Sequence, residues 1–129
     1  MTNDKKILEA MPVIEHEDTD RVDGSERPYT FHSFTCPLDL AREFIDVEGV
    51  VEDARNIGDV SENGEAFAGC IAVTAFDDGA YEATIAVSYD DQDDCISDIG
   101  HVDLARWERP GDAPAWWAPM LEKVPKDPE

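Results

Sequence analysis

Positively charged residues are scarce in this chain of 129 residues. It has ten Lys and Arg against 31 Asp and Glu, which gives a formal net charge of −21. Such a surface repels phosphate groups, so direct binding to nucleic acid or to an anionic membrane is disfavoured. Repulsion between the carboxylates also destabilises the folded state at low ionic strength. We therefore expect a basic partner, a high-salt cytoplasm or bound cations to offset the charge.

Long apolar runs are absent as well. No stretch approaches the roughly 20 apolar residues of a transmembrane helix, and the first residues lack the apolar centre of a signal peptide. The three cysteines, Cys36, Cys70 and Cys95, have no paired spacing. An odd, unpaired set favours reduced thiols, because disulfide frameworks use even numbers at close spacings. The sequence therefore predicts a cytoplasmic protein without membrane contact, in the host cytoplasm if a phage encodes it.

Motifs that name a reaction are missing too. The chain contains no GxxxxGK[ST], GxGxxG or GxSxG pattern. The acidic run SYDDQDD (88–94) does not fit a calcium loop, because a loop that starts at Asp90 needs Gly where Cys95 stands. His32 and His101 do not stand at the close spacing from a cysteine that structural zinc sites use. We therefore predict a protein that is not an enzyme and has no metal site and no cofactor.

The strands are predicted by alternation and by apolar runs. Hydrophobic residues make up 42% of the chain, which suffices for the core of one domain spanning 1–129. The most secure element is a central hairpin at 67–89, in which Gly79 supplies the positive φ of the turn. Segments 29–34 and 101–107 extend it to an antiparallel sheet of three to four strands. Segment 15–28 reads as a polar loop in a partly irregular N-terminal segment, 1–28.

The helices are predicted by periodicity. A long helix at about 38–57 has one apolar stripe, formed by Leu40, Phe44, Val47, Val51 and Ala54. A short helix at 2–11 precedes the long helix. Gly49 could divide the long helix into two. A short C-terminal helix at 116–124 should point Trp117, Leu121 and Val124 inward, before a flexible tail at 125–129. The resulting fold class is α+β, with helices packed on an antiparallel sheet.

The acidic residues are unevenly distributed along the chain. Between Arg55 and Arg106 lie 50 residues with twelve acids and no Lys or Arg. On the long helix, acids recur at intervals of whole turns, so their carboxylates should form a row about 6 Å apart. We assign the following residues to partner binding: Asp39, Glu43, Asp46, Asp53, Asp77, Asp78, Glu82, Asp90, Asp91, Asp93, Asp94 and Asp98.

Three functions agree with this charge pattern. In size and charge the chain is similar to phage or plasmid DNA-mimic inhibitors of host defence, such as anti-CRISPR and anti-restriction proteins, although no motif assigns it to a family. The leading hypothesis is an inhibitor that blocks the nucleic-acid-binding surface of a basic protein or complex. An immunity protein that neutralises a basic nuclease toxin is the first alternative. The second is a salt-adapted domain without a charge-based partner, which the small number of lysines favours (Lys5, Lys6, Lys123 and Lys126).

Overall fold

Two apolar strands joined by a tight turn form the centre of the structure. In the computed structural model, which describes residues 2–58, 67–90 and 95–125, β3 (Phe67–Phe76) pairs antiparallel with β4 (Tyr81–Asp90). Gly79 has a φ of 102°, which favours glycine, and its N–H donates to the carbonyl of Phe76 at 3.0 Å. The predicted hairpin is confirmed.

Three further strands complete an antiparallel sheet in the order β1-β2-β3-β4-β5, so each strand pairs with its neighbours in sequence. These strands are β1 (Glu15–Val22), β2 (Tyr29–Cys36) and β5 (Cys95–Trp107), and β1 and β5 form the two edges of the sheet. The predicted sheet of three to four strands is one strand too small, because β1 occupies part of the segment 15–28 that the sequence predicts as a loop. As an edge strand with both faces largely in water, β1 does not need the apolar alternation by which strands are recognised.

The predicted long helix is two helices, α2 (Leu38–Arg42) and α3 (Val47–Asn56), which follow α1 (Thr2–Ala10). The chain leaves helical geometry between them and restarts at Asp46, whose side chain accepts a hydrogen bond from the N–H of Gly49 at 3.3 Å. This is an N-terminal cap, the interaction that favours Asp at helix starts. The predicted break at Gly49 was therefore misplaced, because Gly49 lies inside α3.

The four α-helices in the described part of the chain pack on the same face of the sheet, and the core lies between this layer and the sheet. α4 (Trp117–Leu121) completes this layer. Trp107, Trp116 and Trp117 are buried there, with the Trp107 and Trp116 rings edge to face at 6.2 Å. Trp117 points inward as predicted, but Leu121 is exposed and Met120 takes the buried position.

Close contacts fix α2 and α3 on the sheet. A methyl group added at Gly69 would lie 2.9 Å from the carbonyl oxygen of Pro37, the residue directly before α2. One added at Gly100 would lie 2.6 Å from the side chain of Val50 in α3. Glycine at these two positions lets the helical layer approach the strands. The predictions for SENGE at 61–65 and for residues 126–129 of the tail fall outside the described residues.

Candidate acidic interface

The sheet has two ends that differ in charge. We call one the turn end, where the β1–β2 and β3–β4 turns and the last residues of β5 lie. We call the other the acidic end, where β3 begins at Phe67, β4 ends at Asp90, and α2 and α3 lie. Ten residues of β3 separate the two ends by about 30 Å.

At the turn end, arginines from distant parts of the chain bind the acids of the hairpin. Arg21 donates from both terminal nitrogens to the carboxylate of Asp77, at 2.6 Å for the Nη1–Oδ1 pair. Arg27 Nε donates to Asp78 Oδ2 at 2.7 Å, and its guanidinium lies 3.7 Å from the centre of the Phe76 ring. The hydrogen bonds from these arginines lower the pKa of both carboxyls. Residues 56–105 contain no Lys or Arg, but in the folded protein arginines from outside this segment bind its acids.

Glu82 also lies at the turn end, and its neighbour on the adjacent strand is also an arginine. It lies opposite Arg106 in the β4–β5 register, while Arg106 also approaches Asp103 at 3.7 Å. With Arg21, Arg27 and Arg109, four of the six arginines in the chain lie at the turn end. Asp77, Asp78 and Glu82, the three predicted site residues of this end, therefore lie at the opposite end of β4 from Asp90, with Glu82 eight residues or about 26 Å from it along the strand.

On the helices, the predicted row of carboxylates is interrupted. Asp39 receives a hydrogen bond from Arg42 at 2.7 Å, and Glu43 pairs with Lys6. Asp46 caps α3. The row does not form because the chain leaves helical geometry between α2 and α3. Within the described chain only Asp53 of the four predicted helix acids makes neither an ion pair nor a cap, and it is exposed.

Asp53 belongs to a group of acids at the acidic end. Its neighbour Glu52 is also exposed, and neither makes an ion pair with any described residue. Ala54, one residue on, packs against Tyr89 at the end of β4, so α3 runs beside the end of that strand. The exposed carboxylates of α3 and the end of the β4 backbone therefore lie at the same end of the sheet.

The acidic loop of the sequence starts and ends here as well. Asp90 pairs with Cys95 across β4 and β5, so the chain leaves and re-enters the described structure at the acidic end. Asp91, Asp93 and Asp94 lie outside the described residues, and for Asp90 and Asp98 only the backbone is described. Phe67, Asp90 and Cys95, which border the undescribed segments 59–66 and 91–94, lie at this end of the sheet, and the two segments contain six acids and no base.

The sequence prediction missed a second group of exposed acids, on β1: Glu15, Glu17, Asp18 and Asp20. None of them makes an ion pair within the described parts of the chain. The signal that could have revealed this strand is Asp23-Gly24, a dipeptide typical of hairpin turns, directly before the strand at 29–34.

Two histidines lie on the covered face beside β1 and share one hydroxyl group. Thr19 Oγ1 is 2.8 Å from His16 Nε2 and 3.1 Å from His32 Nδ1. His32 is buried, with its ring 6.0 Å from that of Trp117. Burial, followed by the nearby charge of His16, lowers the pKa of His32. This group ties β1 and β2 to α4.

Comparison of the chain with protein-family models, with curated proteins and with solved structures gives no match. No helix in residues 2–58, 67–90 and 95–125 is long and apolar enough to span a membrane. In the same residues, no three His, Cys, Asp or Glu side chains are grouped in a way that could hold a metal ion.

Proposed function

We propose that this protein is an acidic inhibitor that blocks the nucleic-acid-binding surface of a basic partner, such as a CRISPR or restriction complex, by mimicking DNA. The observation that supports the proposal is the separation of charge between the two ends of the sheet. Arginines bind the hairpin acids at the turn end. At the acidic end Glu48 of α3 pairs with Arg42, whereas the exposed carboxylates of Glu52 and Asp53 make no ion pair with described residues. The acidic end is therefore the surface that presents negative charge to a partner.

The proposed mechanism is competition for the same basic groove. Duplex DNA presents one phosphate charge per about 1.7 Å of axis, and Lys and Arg that bind it release counterions. Carboxylates at the end of a rigid sheet attract the same cations without a nucleic acid. Long-range attraction of this kind accelerates association, so binding should weaken steeply as salt is added.

The proposal narrows the set of residues that act. Asp53 and Glu52 belong to the binding surface. The acids of 90–98, whose side chains lie outside the described part of the structure, are assigned to it from the sequence alone. Asp77, Asp78 and Glu82 at the turn end do not, because Arg21 and Arg27 bind the first two and Arg106 faces the third. Asp46 has a structural role as the cap of α3.

A paired charge reversal tests this assignment. The partner is first captured from a lysate at low salt, and its affinity for duplex DNA is measured with and without this protein. The variant Glu52→Lys/Asp53→Lys should reduce competition with DNA by about tenfold or more, because it removes charge where the partner binds. The control Glu108→Lys/Asp112→Lys makes the same change in net charge at the turn end and should compete almost as well as the unchanged protein.

Two results would contradict the proposal. One is a captured partner whose affinity for DNA this protein does not change. The other is an equal loss of competition for the two double variants, which would show that net charge alone decides binding. Circular dichroism of each variant shows whether its fold is retained.

Salt adaptation is a second candidate, favoured by a specific observation. The acids of β1 make no ion pairs within the described structure although they lie on the edge strand opposite to β5, the strand that α3 contacts, as expected when carboxylates serve hydration everywhere. Circular dichroism in dilute buffer separates the two candidates. A chain that folds only near molar salt supports adaptation, whereas a chain that is folded in dilute buffer supports partner binding.

A further inference from the structure

The sheet has a second face on which no described helix packs, because α1 to α4 all contribute to the core on the other side. We call it the open face. The strand register places its side chains in cross-strand rows. One row runs Glu15–Thr35–Cys70–Ala86–His101, the next Asp18–Ser33–Ala72–Thr84–Asp103, and the third Asp20–Phe31–Thr74–Glu82–Arg106.

The middle of the open face carries no charge. On β2 and β3 the positions of this face are Tyr29, Phe31, Ser33, Thr35, Ala68, Cys70, Ala72, Thr74 and Phe76. Charged residues make up 32% of the whole chain, yet none stands at these positions. A sheet face in contact with water is normally polar and alternates with the buried one. Phe76 is already covered by the guanidinium of Arg27. An uncharged middle that includes Phe31 and Tyr29 is instead typical of a face that another element covers.

The borders of the open face are charged. In the second row, Asp18 on β1 and Asp103 on β5 stand at opposite edges, four strand spacings or about 19 Å apart. Glu15 and Asp20 extend the β1 border, where the structure gives the acids no ion pair with any described residue. The β5 border is mixed, since Arg106 lies 3.7 Å from Asp103. An occupant of the uncharged middle therefore has carboxylates beside it, most of them along β1.

These features together determine the chemistry of the occupant. We propose that the open face binds an amphipathic helix of a partner protein, with an apolar stripe against β2 and β3 and Lys or Arg facing β1. A helix is about 10–12 Å wide and fits between borders about 19 Å apart. The small side chain of Ala72, which is partly exposed, allows it to lie close to the strands.

Two other occupants fit the open face less well. A second copy would bring the same acidic borders and another charge of −21 against this face, which is unfavourable. Addition of a strand at the β1 edge is hindered, because the β1 register shifts between His16 and Asp18 and a bulge interrupts the pairing edge.

The open face is separate from the acidic end, so its occupation does not depend on the proposed function. The test uses a synthetic amphipathic helix of about 18 residues, roughly 27 Å long, with Leu and Ala on one side and Lys on both flanks. A peptide of the same composition in scrambled order is the control ligand. NMR titration follows the backbone amides of the full chain, and the titration curves give the affinities.

The variant Ala72→Lys places a cation in the uncharged middle and should weaken binding of the amphipathic peptide by about tenfold or more. Thr74→Lys introduces the same positive charge in the next row. This variant is used in place of Ala72→Lys if Ala72→Lys does not fold. The control Glu52→Gln changes the net charge equally at the acidic end and should leave the affinity within about twofold. The peptide should shift the amides of β2 and β3, and the scrambled one should bind more weakly.

Three outcomes would overturn this proposal. The scrambled peptide could bind as tightly, or Glu52→Gln could weaken binding as much as Ala72→Lys, and either result would reduce the interaction to net charge. Sedimentation could instead show a dimer that Ala72→Lys dissociates, which would identify a second copy as the occupant. Failure of the DNA competition experiment alone would leave the peptide result standing, so the two proposals can fail separately.

Discussion

At the scale of single residues, the hydroxyl of Thr19 lies between two imidazole rings and can donate a hydrogen bond to only one of them. Two protonated histidines would both need to donate to this oxygen, and their charges would repel each other. His32 is buried, and burial lowers its pKa in the folded state. Acidification should therefore act on the folded protein through this group of side chains.

We predict that the free energy of unfolding decreases as the pH falls below about 6.5, the ordinary pKa of histidine. The unfolded chain binds a proton at His32 in this range while the folded chain does not, so protons favour unfolding until the lowered folded pKa is reached. Urea denaturation between pH 7.5 and 5, values that bracket this range, measures the slope. His32→Gln should flatten it. Equal slopes for the unchanged protein and His32→Gln would contradict the prediction.

A second residue-scale prediction concerns Gly69. A Cβ at this position would lie 2.6 Å from Cys36 Sγ and 2.9 Å from the carbonyl oxygen of Pro37. Because that oxygen belongs to the backbone, Gly69→Ala should destabilise the fold by about 1–3 kcal/mol. Gly111→Ala is the matched control, since nothing lies within 4 Å of the added methyl group. Thermal or urea unfolding compares the two, and a neutral Gly69→Ala would show that α2 does not pack closely on β3.

At the scale of elements, the start of α3 depends on one side chain. Asp46 accepts a hydrogen bond from the N–H of Gly49. We predict that Asp46→Ala lowers the free energy of unfolding by about 0.5–2 kcal/mol, the usual cost of losing such a cap, and that Asp46→Asn restores most of it. Urea denaturation measures both. An Asn variant as unstable as the Ala variant would mean that the charge of Asp46, and not its capping bond, stabilises the helix.

The same element shows how far the sequence could predict the fold. The β3–β4 hairpin was predictable because apolar runs and a turn glycine are local signals. The apolar stripe from Leu40 to Ala54 continues through the gap between α2 and α3, so periodicity alone reads one helix where the cap at Asp46 starts a second. The candidate site was less predictable, because pairs such as Arg21–Asp77 join residues 56 positions apart.

At the scale of the whole molecule, the two ends of the sheet should respond differently to salt. The Debye length is about 10 Å at 0.1 M salt, shorter than the roughly 30 Å between the ends. Each end therefore interacts mainly with its own charges at that ionic strength. Added salt should stabilise the acidic end by screening repulsion and weaken the exposed ion pairs of the turn end.

We predict that the free energy of unfolding rises with NaCl concentration, because repulsion among 31 acids outweighs attraction to ten bases. Arg21→Gln removes a partner of Asp77 and should make the rise steeper. Glu52→Gln/Asp53→Asn removes unpaired charge from the acidic end and should make it shallower. Urea denaturation at a series of salt concentrations measures the three slopes. If both variants had the slope of the unchanged protein, the local charge at the two ends would not determine how the free energy of unfolding depends on salt, and the prediction would be wrong.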